Sequence, residues 1–439
     1  MEDSLSHLYL ERKAAGIPVR FRPNVLSMVG KQLERVIKER IEQELEEKGG
    51  LSEKQFGFRK GHSTIQAIDK IVGDARKCEK KWLALIAVDV ENAFNSATWS
   101  IIIRELHGRG ISKYLKTEAI ILKGKRKREH LNFNLQGTRI IPRKHITYLG
   151  VVIDEKITFT EHIKHTSKKA DSKIAALTRI LPNIGGPSSL KREVLCGVIH
   201  SIIRYGAPVW YEVLEKRKYR NILSGVQRKA LLRIASGYRT ISTNALQVIV
   251  GIPPISLLAE ERQRLFRIEN SHLQATKQRE RDKTLAKWQQ GWESNTENAA
   301  WTRTLIKDLR KWIRCEHRNL DFFLTQFLSG HGAFRAYLKK MGLTEDEKCI
   351  YCGMQDTAEH AILTCDRWEI WRNELETVVG EKVDRNNVIE TMQRNKEYWE
   401  KTRTFVGRVM QQKKGGNRVD RKWSGAMGKT RINTAMLLR

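Results

Sequence analysis

Four side chains able to bind a soft metal are spaced as Cys349-x2-Cys352-x7-His360-x4-Cys365. That spacing lets a turn, a loop and a short helix close on one tetrahedral ion. Three thiolates and one imidazole form the donor set of a structural zinc site, with no position left open for catalysis. Zinc bound there supplies on the order of 10 to 16 kcal/mol of apparent binding energy, enough to fold a segment too small to hold itself together. The alternative is a chance grouping of unliganded thiols. The six cysteines (Cys78, Cys196, Cys315, Cys349, Cys352 and Cys365) are too few and too clustered for a disulfide framework.

A second position with chemistry is Asp89, in the stretch ALIAVDVENAFNSATW (84–99). Leu83 to Val88 has neither a helical period nor alternation, so it reads as a short strand buried on both faces with Asp89 at its C-terminal edge. Phe94 follows five residues on, and Ser96 or Thr98 caps a new helix. Strand, acid, turn, aromatic and helix is the layout of a metal-binding strand end; the plainer reading is a capping aspartate. Template-directed polymerisation uses two divalent ions held by several converging carboxylates, and one aspartate is too few. Nowhere do two aspartates stand side by side. Asp154 and Glu155 belong to a strand-to-helix turn well downstream, and Asp69 and Asp74 belong to a helix that presents them to solvent.

The elements that must position these residues belong to a basic chain. Eighty-one Lys and Arg against fifty acids give a net charge of +31 over 439 residues, spread along the sequence, which points to a polyanionic partner and above all to nucleic acid. A hydrophobic content of 40% and eleven tryptophans imply real cores, against a histone-like or ribosomal chain. The length suggests two to four domains. No apolar run approaches the roughly 18 to 20 residues of a bilayer span, and the start lacks a signal-peptide core, so the expectation is an intracellular protein, nuclear or cytoplasmic, not secreted and without a membrane partner.

Along the chain, Leu26 to Leu45 has helical spacing and stops at Gly49-Gly50. The loop QFGFRKGHST (55–64) gathers Arg59, Lys60 and His62 beside a helix N-terminus capped by Ser63 or Thr64, a placement that suits phosphate or is an ordinary connection. Ile65, Ile68, Ile71 and Ala75 are expected to face inward. A helix is expected from about Thr98 to His107, then strands over 116–122, 131–135 and 146–153. Helices follow over 161–181, 188–205, 212–236 and 242–250. Gly251 to Pro254 precedes one long basic helical stretch, 255–290, that either lies on nucleic acid or is solvated. Trp288, Trp292, Trp301 and Trp312 read as helix-packing core. The last 39 residues carry eleven Lys and Arg against Asp420 alone, and read as a tail disordered in isolation and attracted to phosphate.

Together these motifs resemble the reverse transcriptases of LINE-like, non-LTR retrotransposons, particularly arthropod elements whose reading frame ends in a zinc knuckle. The likeness covers about 22 to 370. RPNVLSMVGKQLERVI (22–37) and QFGFRKGHST resemble fingers motifs, and AVDVENAFNSATW resembles palm motif A. KTEAIIL (116–122) resembles the strand after the catalytic loop, and ITYLGVVIDEKITF (146–159) the primer-grip hairpin. LPNIGGP (181–187) and YGAPVW (205–210) resemble thumb landmarks, and GHGAFRAYL (330–338) the approach to the knuckle.

The resemblance implies an α+β chain: partial fingers and palm of a right-hand polymerase, a helical thumb, and a helical C-terminal region with a small zinc knuckle. The expected division is an unassigned segment 1–21, fingers and first part of the palm 22–115, and end of the palm with the primer-grip hairpin 116–159. Thumb helices 160–254, a basic helical connector 255–345, a Cys3His knuckle 346–370 and a basic tail 371–439 complete it. It implies Asp89 as a catalytic metal ligand, Phe94 as a screen on the nucleotide sugar, and Arg59 near the triphosphate or template. Cys349, Cys352, His360 and Cys365 would hold structural Zn2+, with Mg2+ expected for the family. RNA and DNA are the implied partners.

The sequence also departs from the family. Between Leu115 and Lys116 it lacks the segment with the Pro-Gln-Gly loop and the Ala-Asp-Asp hairpin, so the strands that flank the motif A aspartate are expected to be missing and the Mg2+ site incomplete. The family's upstream endonuclease domain is expected to be missing as well. Three readings follow: an RNA-directed DNA polymerase, a catalytically inactive fragment that keeps nucleic-acid binding as a zinc-knuckle protein, or an unstable pseudogene product with exposed apolar surface and open strand edges.

Overall fold

Ser63 opens the first helix among the described residues, α1 (Thr64–Lys77), its hydroxyl accepting the Gln66 N–H at 3.3 Å. Ala67, Ile68, Val72 and Ala75 form its buried face, while Ile65 and Ile71 are half-buried and Asp69 and Asp74 face solvent, as expected. In the computed structural model the described residues are 52–57, 59, 61–78, 83–90, 115–123, 133–135, 138–182, 184–268, 273–294 and 298–424. They divide into two compact units, Met1–Gln66 and Ala67–Arg439. The expected helices over 24–45 and 98–107 lie outside the described residues.

Strand β1 (Leu83–Val90) pairs antiparallel with β2 (Leu115–Lys123), with Asp89 in register with Lys116 and Val90 with Leu115. Two expectations are corrected here. The motif A strand does have a neighbour, because β2 reaches far enough to continue the ladder past Asp89. And β1 is not buried on both faces: Ala84 is exposed and Ile86 is 41% exposed. Among the described residues β1 pairs with β2 alone, whereas Ala119 to Leu122 on β2 are buried and the Ala119 carbonyl accepts the Arg143 N–H at 2.8 Å. Two hairpins follow, β3 (Phe133–Leu135) with β4 (Thr138–Ile140), and β5 (His145–Tyr148) with β6 (Val151–Asp154). The second turns at Leu149 (φ 47°) and Gly150 (φ 80°), the pair of left-handed residues that a two-residue hairpin requires.

Helices then take over. α2 (Thr160–Ile180), α3 (Ser189–Arg204) and α5 (Arg217–Ala235) pack on one another, with α4 (Ala207–Trp210) and a 3-10 turn (Tyr211–Glu215) between the last two. The expected single helix over 212–236 therefore starts later, because Lys216 is extended. α6 (Thr243–Val250) is capped by Ser242, whose hydroxyl accepts the Ala245 N–H, and stopped by left-handed Gly251.

The stretch 255–290 is not one helix but two, α7 (Ile255–Arg267) and α8 (Gln274–Ser294), which pack on each other. Their sparse apolar positions, Leu258, Ala259, Leu285, Trp288 and Trp292, are buried. Buried Glu280 accepts from Arg264 Nε and Lys283 Nζ, each at 2.6 Å, so part of the basic face is spent on an internal acid.

α9 (Ala300–Leu305), α10 (Leu309–Arg314), α11 (Phe322–Ser329) and α12 (Arg335–Lys340) lead to the cysteine cluster, and α13 (Glu369–Val379), α14 (Val388–Arg394) and α15 (Lys396–Ser424) follow it. Trp312 Nε1 donates to the Ile249 carbonyl at 3.2 Å, and its ring lies 5.6 Å from that of Trp399. With Trp288 and Trp292 also buried, and half-buried Trp301 donating to the Phe327 carbonyl at 2.6 Å, the tryptophans are core as expected.

The C-terminal region differs most from its reading as an unstructured tail. α15 packs on α11, α13 and α14 through a buried stripe of Trp399, Thr402, Phe405, Val406, Val409, Met410 and Lys413. The apolar period is there, but it is interrupted by a threonine and ended by a lysine.

Candidate metal centre

The cluster is built on a tight turn. Lys348 bridges Gln355, the Cys349 N–H donates to the Met354 carbonyl at 2.6 Å, and Gly353 (φ 76°) donates back to the Cys349 carbonyl at 2.9 Å. The turn brings Cys349 and Cys352 to one side. A single π-turn, His360–Thr364, supplies the third ligand, and the Cys365 N–H closes it on the His360 carbonyl at 2.9 Å. A π-turn widens the helix by one residue, which sets His360 and Cys365 where a regular helix would not.

The four ligand atoms lie within 4.8 Å of one another. Cys349 Sγ is 3.9 Å from Cys365 Sγ, and Cys352 Sγ is 3.2 Å from His360 Nε2. Zn–S bonds of 2.3 Å at tetrahedral angles place sulfurs about 3.8 Å apart, so this donor set fits zinc. Cys349 and Cys365 are buried, His360 is half-buried and Cys352 is exposed. His360 Nδ1 pairs with Thr364 Oγ1 at 3.3 Å, leaving Nε2 for a metal. Burial pushes the Cys365 thiol well above its ordinary value, and the neighbouring thiols of Cys349 and Cys352 add to it. Crowded, desolvated thiols of this kind are stabilised as thiolates when a dication sits among them.

The site is tied to the last helix by a buried ion pair. Lys413 Nζ donates to both oxygens of Asp356, each at 2.7 Å, and Asp356 Oδ2 also accepts the Arg335 N–H at 2.8 Å. The sequence reading missed both residues; the only signal was an acid, one of two, inside the knuckle loop.

The polymerase positions fare differently. Asp89 is the second-last residue of β1, and the acid that β2 contributes is Glu118, in register with Ala87. Asp154 is committed to its own turn, accepting from Lys156 N, Thr158 N and Thr158 Oγ1 at 3.0 to 3.2 Å. Among the described residues the Cys3His set is the one group of three or more converging Cys, His, Asp or Glu ligands. Arg59 is half-buried and its Nη1 donates to the Ser52 carbonyl at 3.0 Å, closing its own loop. Phe94 lies outside the described residues.

Comparison with known proteins gives this arrangement a lineage. Residues 12–153 match the model of the reverse transcriptase (RNA-dependent DNA polymerase) family. A Pol polyprotein from the type-1 retrotransposable element R1 of Nasonia vitripennis is 27% identical over 281 residues, covering 59% of this chain and 68% of that protein. The chain thus carries a reverse transcriptase region and is similar to the Pol proteins of LINE-like R1 retrotransposons of arthropods. A putative 115 kDa protein in the R1 element of Drosophila melanogaster is 26% identical over 268 residues, 57% of this chain but only 26% of its relative. An R1 Pol polyprotein of Bradysia coprophila is 25% identical, across 59% of this chain and 28% of its own length. No solved structure matches. No helix among the described residues is long and apolar enough to cross a membrane.

Proposed function

We propose that this chain is a fragment of a retrotransposon reverse transcriptase that no longer polymerises but still binds RNA and DNA, with a zinc knuckle at Cys349, Cys352, His360 and Cys365. One observation carries the catalytic half of the reading: in the ladder the residue in register with Asp89 is Lys116. The residue at that register position is a lysine, where two-metal phosphoryl transfer calls for further carboxylates around the same ions.

The binding half is supported by the net charge of +31 and by the family match. The fold of the thumb and C-terminal region, with its buried tryptophans, speaks against an unstable product. In this reading the zinc holds the loop 349–365 in shape and supplies no chemistry to substrate.

The decisive experiment offers purified full-length protein a primed RNA template with Mg2+ and the four deoxynucleoside triphosphates. No extension is expected, with retention of the template that falls steeply as salt rises. Extension that disappears in Asp89→Ala overturns the catalytic half; absence of binding at low salt overturns the other.

A further inference from the structure

Beside the knuckle lies a half-open cavity of about 750 Å3, bounded in part by Thr357 and Ala358 of the knuckle loop. Its volume is in the range of pockets that take a small ligand. Trp301, His331, Phe334 and Tyr337 line it, together with Thr240 and the exposed Lys340. Four aromatic or heteroaromatic rings around one cavity favour a flat, polarizable guest.

Two of these rings are fixed before any ligand arrives. The Thr240 hydroxyl lies 2.6 Å from the Tyr337 hydroxyl and 3.1 Å from His331 Nδ1. The His331 and Tyr337 rings are 4.7 Å apart and inclined by 38°. A wall held this way costs little ordering when a guest stacks on it. Burial pushes the His331 pKa down to about 4, so the imidazole is neutral at physiological pH and its second nitrogen is left to meet a hydrogen-bonding edge. Lys340 carries no ion pair among the described residues, whereas the acid on the lining, Glu359, is taken up by Arg385 at 3.5 Å.

We propose that this cavity receives one unpaired base of a single-stranded nucleic acid, stacked on the Trp301 and Tyr337 walls, with the adjoining phosphate at Lys340. The proposal rests on the nucleic-acid binding argued above and gives it a place and a strand preference. A base inside a duplex has to leave its stack to enter such a cavity, so single strands are favoured.

The test uses the full-length, zinc-loaded chain with a labelled RNA single strand of roughly ten nucleotides, and a blunt duplex of the same sequence. Two variants are compared with the parent protein. Ala300→Trp fills the cavity from an exposed position on its lining, and Lys340→Glu reverses the charge there. The expected result is single-strand binding about tenfold weaker or more in Ala300→Trp, weaker also in Lys340→Glu, with duplex binding nearly unchanged in Ala300→Trp. Lys340→Glu serves alone if Ala300→Trp does not melt like the parent. Parent-like single-strand binding in the folded variants overturns the cavity while leaving nucleic-acid binding in place. Failure of the parent protein to bind either probe overturns both.

Discussion

Lys413 on the last helix reaches Asp356 inside the knuckle loop, its ammonium 2.7 Å from each carboxylate oxygen and both side chains almost wholly buried. Removing one partner leaves a buried charge uncompensated, which typically costs about 3 to 5 kcal/mol. Lys413→Met is therefore expected to lower unfolding stability by about that amount in urea titrations of the zinc-loaded protein. The double variant Asp356→Asn with Lys413→Met is expected to be milder than Lys413→Met alone, because the amide oxygen still accepts the Arg335 N–H and no lone charge remains. Equal losses would sink the ion-pair account.

Zinc content is directly measurable. Metal analysis should find one zinc per chain, removed by strong chelators at a rate that rises with temperature, and Cys349→Ser should abolish retention. Because metal binding displaces thiol protons, reloading the apoprotein in weak buffer should release acid. Near-ultraviolet dichroism should register the change, since the Trp368 ring lies 5.2 Å from Tyr351 between two of the cysteines. Full retention of that signal after chelation would mean that the loop needs no ion.

Besides His331, two buried histidines outside the metal centre contribute acid sensitivity to the fold. Burial pushes His162 and His200 down to about 4, in the first helped by His165 and in the second by Arg204. His162 Nδ1 accepts the Val152 N–H at 3.2 Å, which only the unprotonated nitrogen does. The native state keeps these rings neutral while the unfolded chain protonates near pH 6.5, so stability falls as pH drops from about 6.5 towards 4. For His162 alone the loss between pH 7 and pH 5 is about 2 kcal/mol. His162→Gln should flatten the stability profile by that amount, whatever its own effect at neutral pH.

Gly206 tests the seam between helices and sheet. Its φ is 66°, and a Cβ there would meet Val151 Cγ2 at 2.8 Å on strand β6. Gly206→Ala combines left-handed backbone strain with a clash in the core, and should cost about 1 to 3 kcal/mol by denaturant melting. At Gly197, where a Cβ meets nothing within 4 Å, the same change should be neutral or stabilising.

What could be read from residues alone was local. Ser242 and Gly251 mark the ends of α6 in the sequence and in space, and the Cys3His spacing closes as its ligand count demands. What escaped depends on partners far along the chain. The burial of α15 is decided by α11, α13 and α14, and its stripe ends in Lys413, a residue that patterning assigns to solvent until Asp356 is placed beside it. The open face of β1 escaped for the same reason: an apolar run says that a strand is capable of burial, and neighbours decide whether it is buried.

The antiparallel sense of β1 and β2 also bears on how such a gene tolerates rearrangement. Parallel neighbours need a crossover of about a dozen residues or more, but antiparallel ones are satisfied by any connection down to a two-residue hairpin, and lengthening the loop is cheap. The ladder fixes the spacing of residues 90 and 115 and leaves the length of chain between them free to vary.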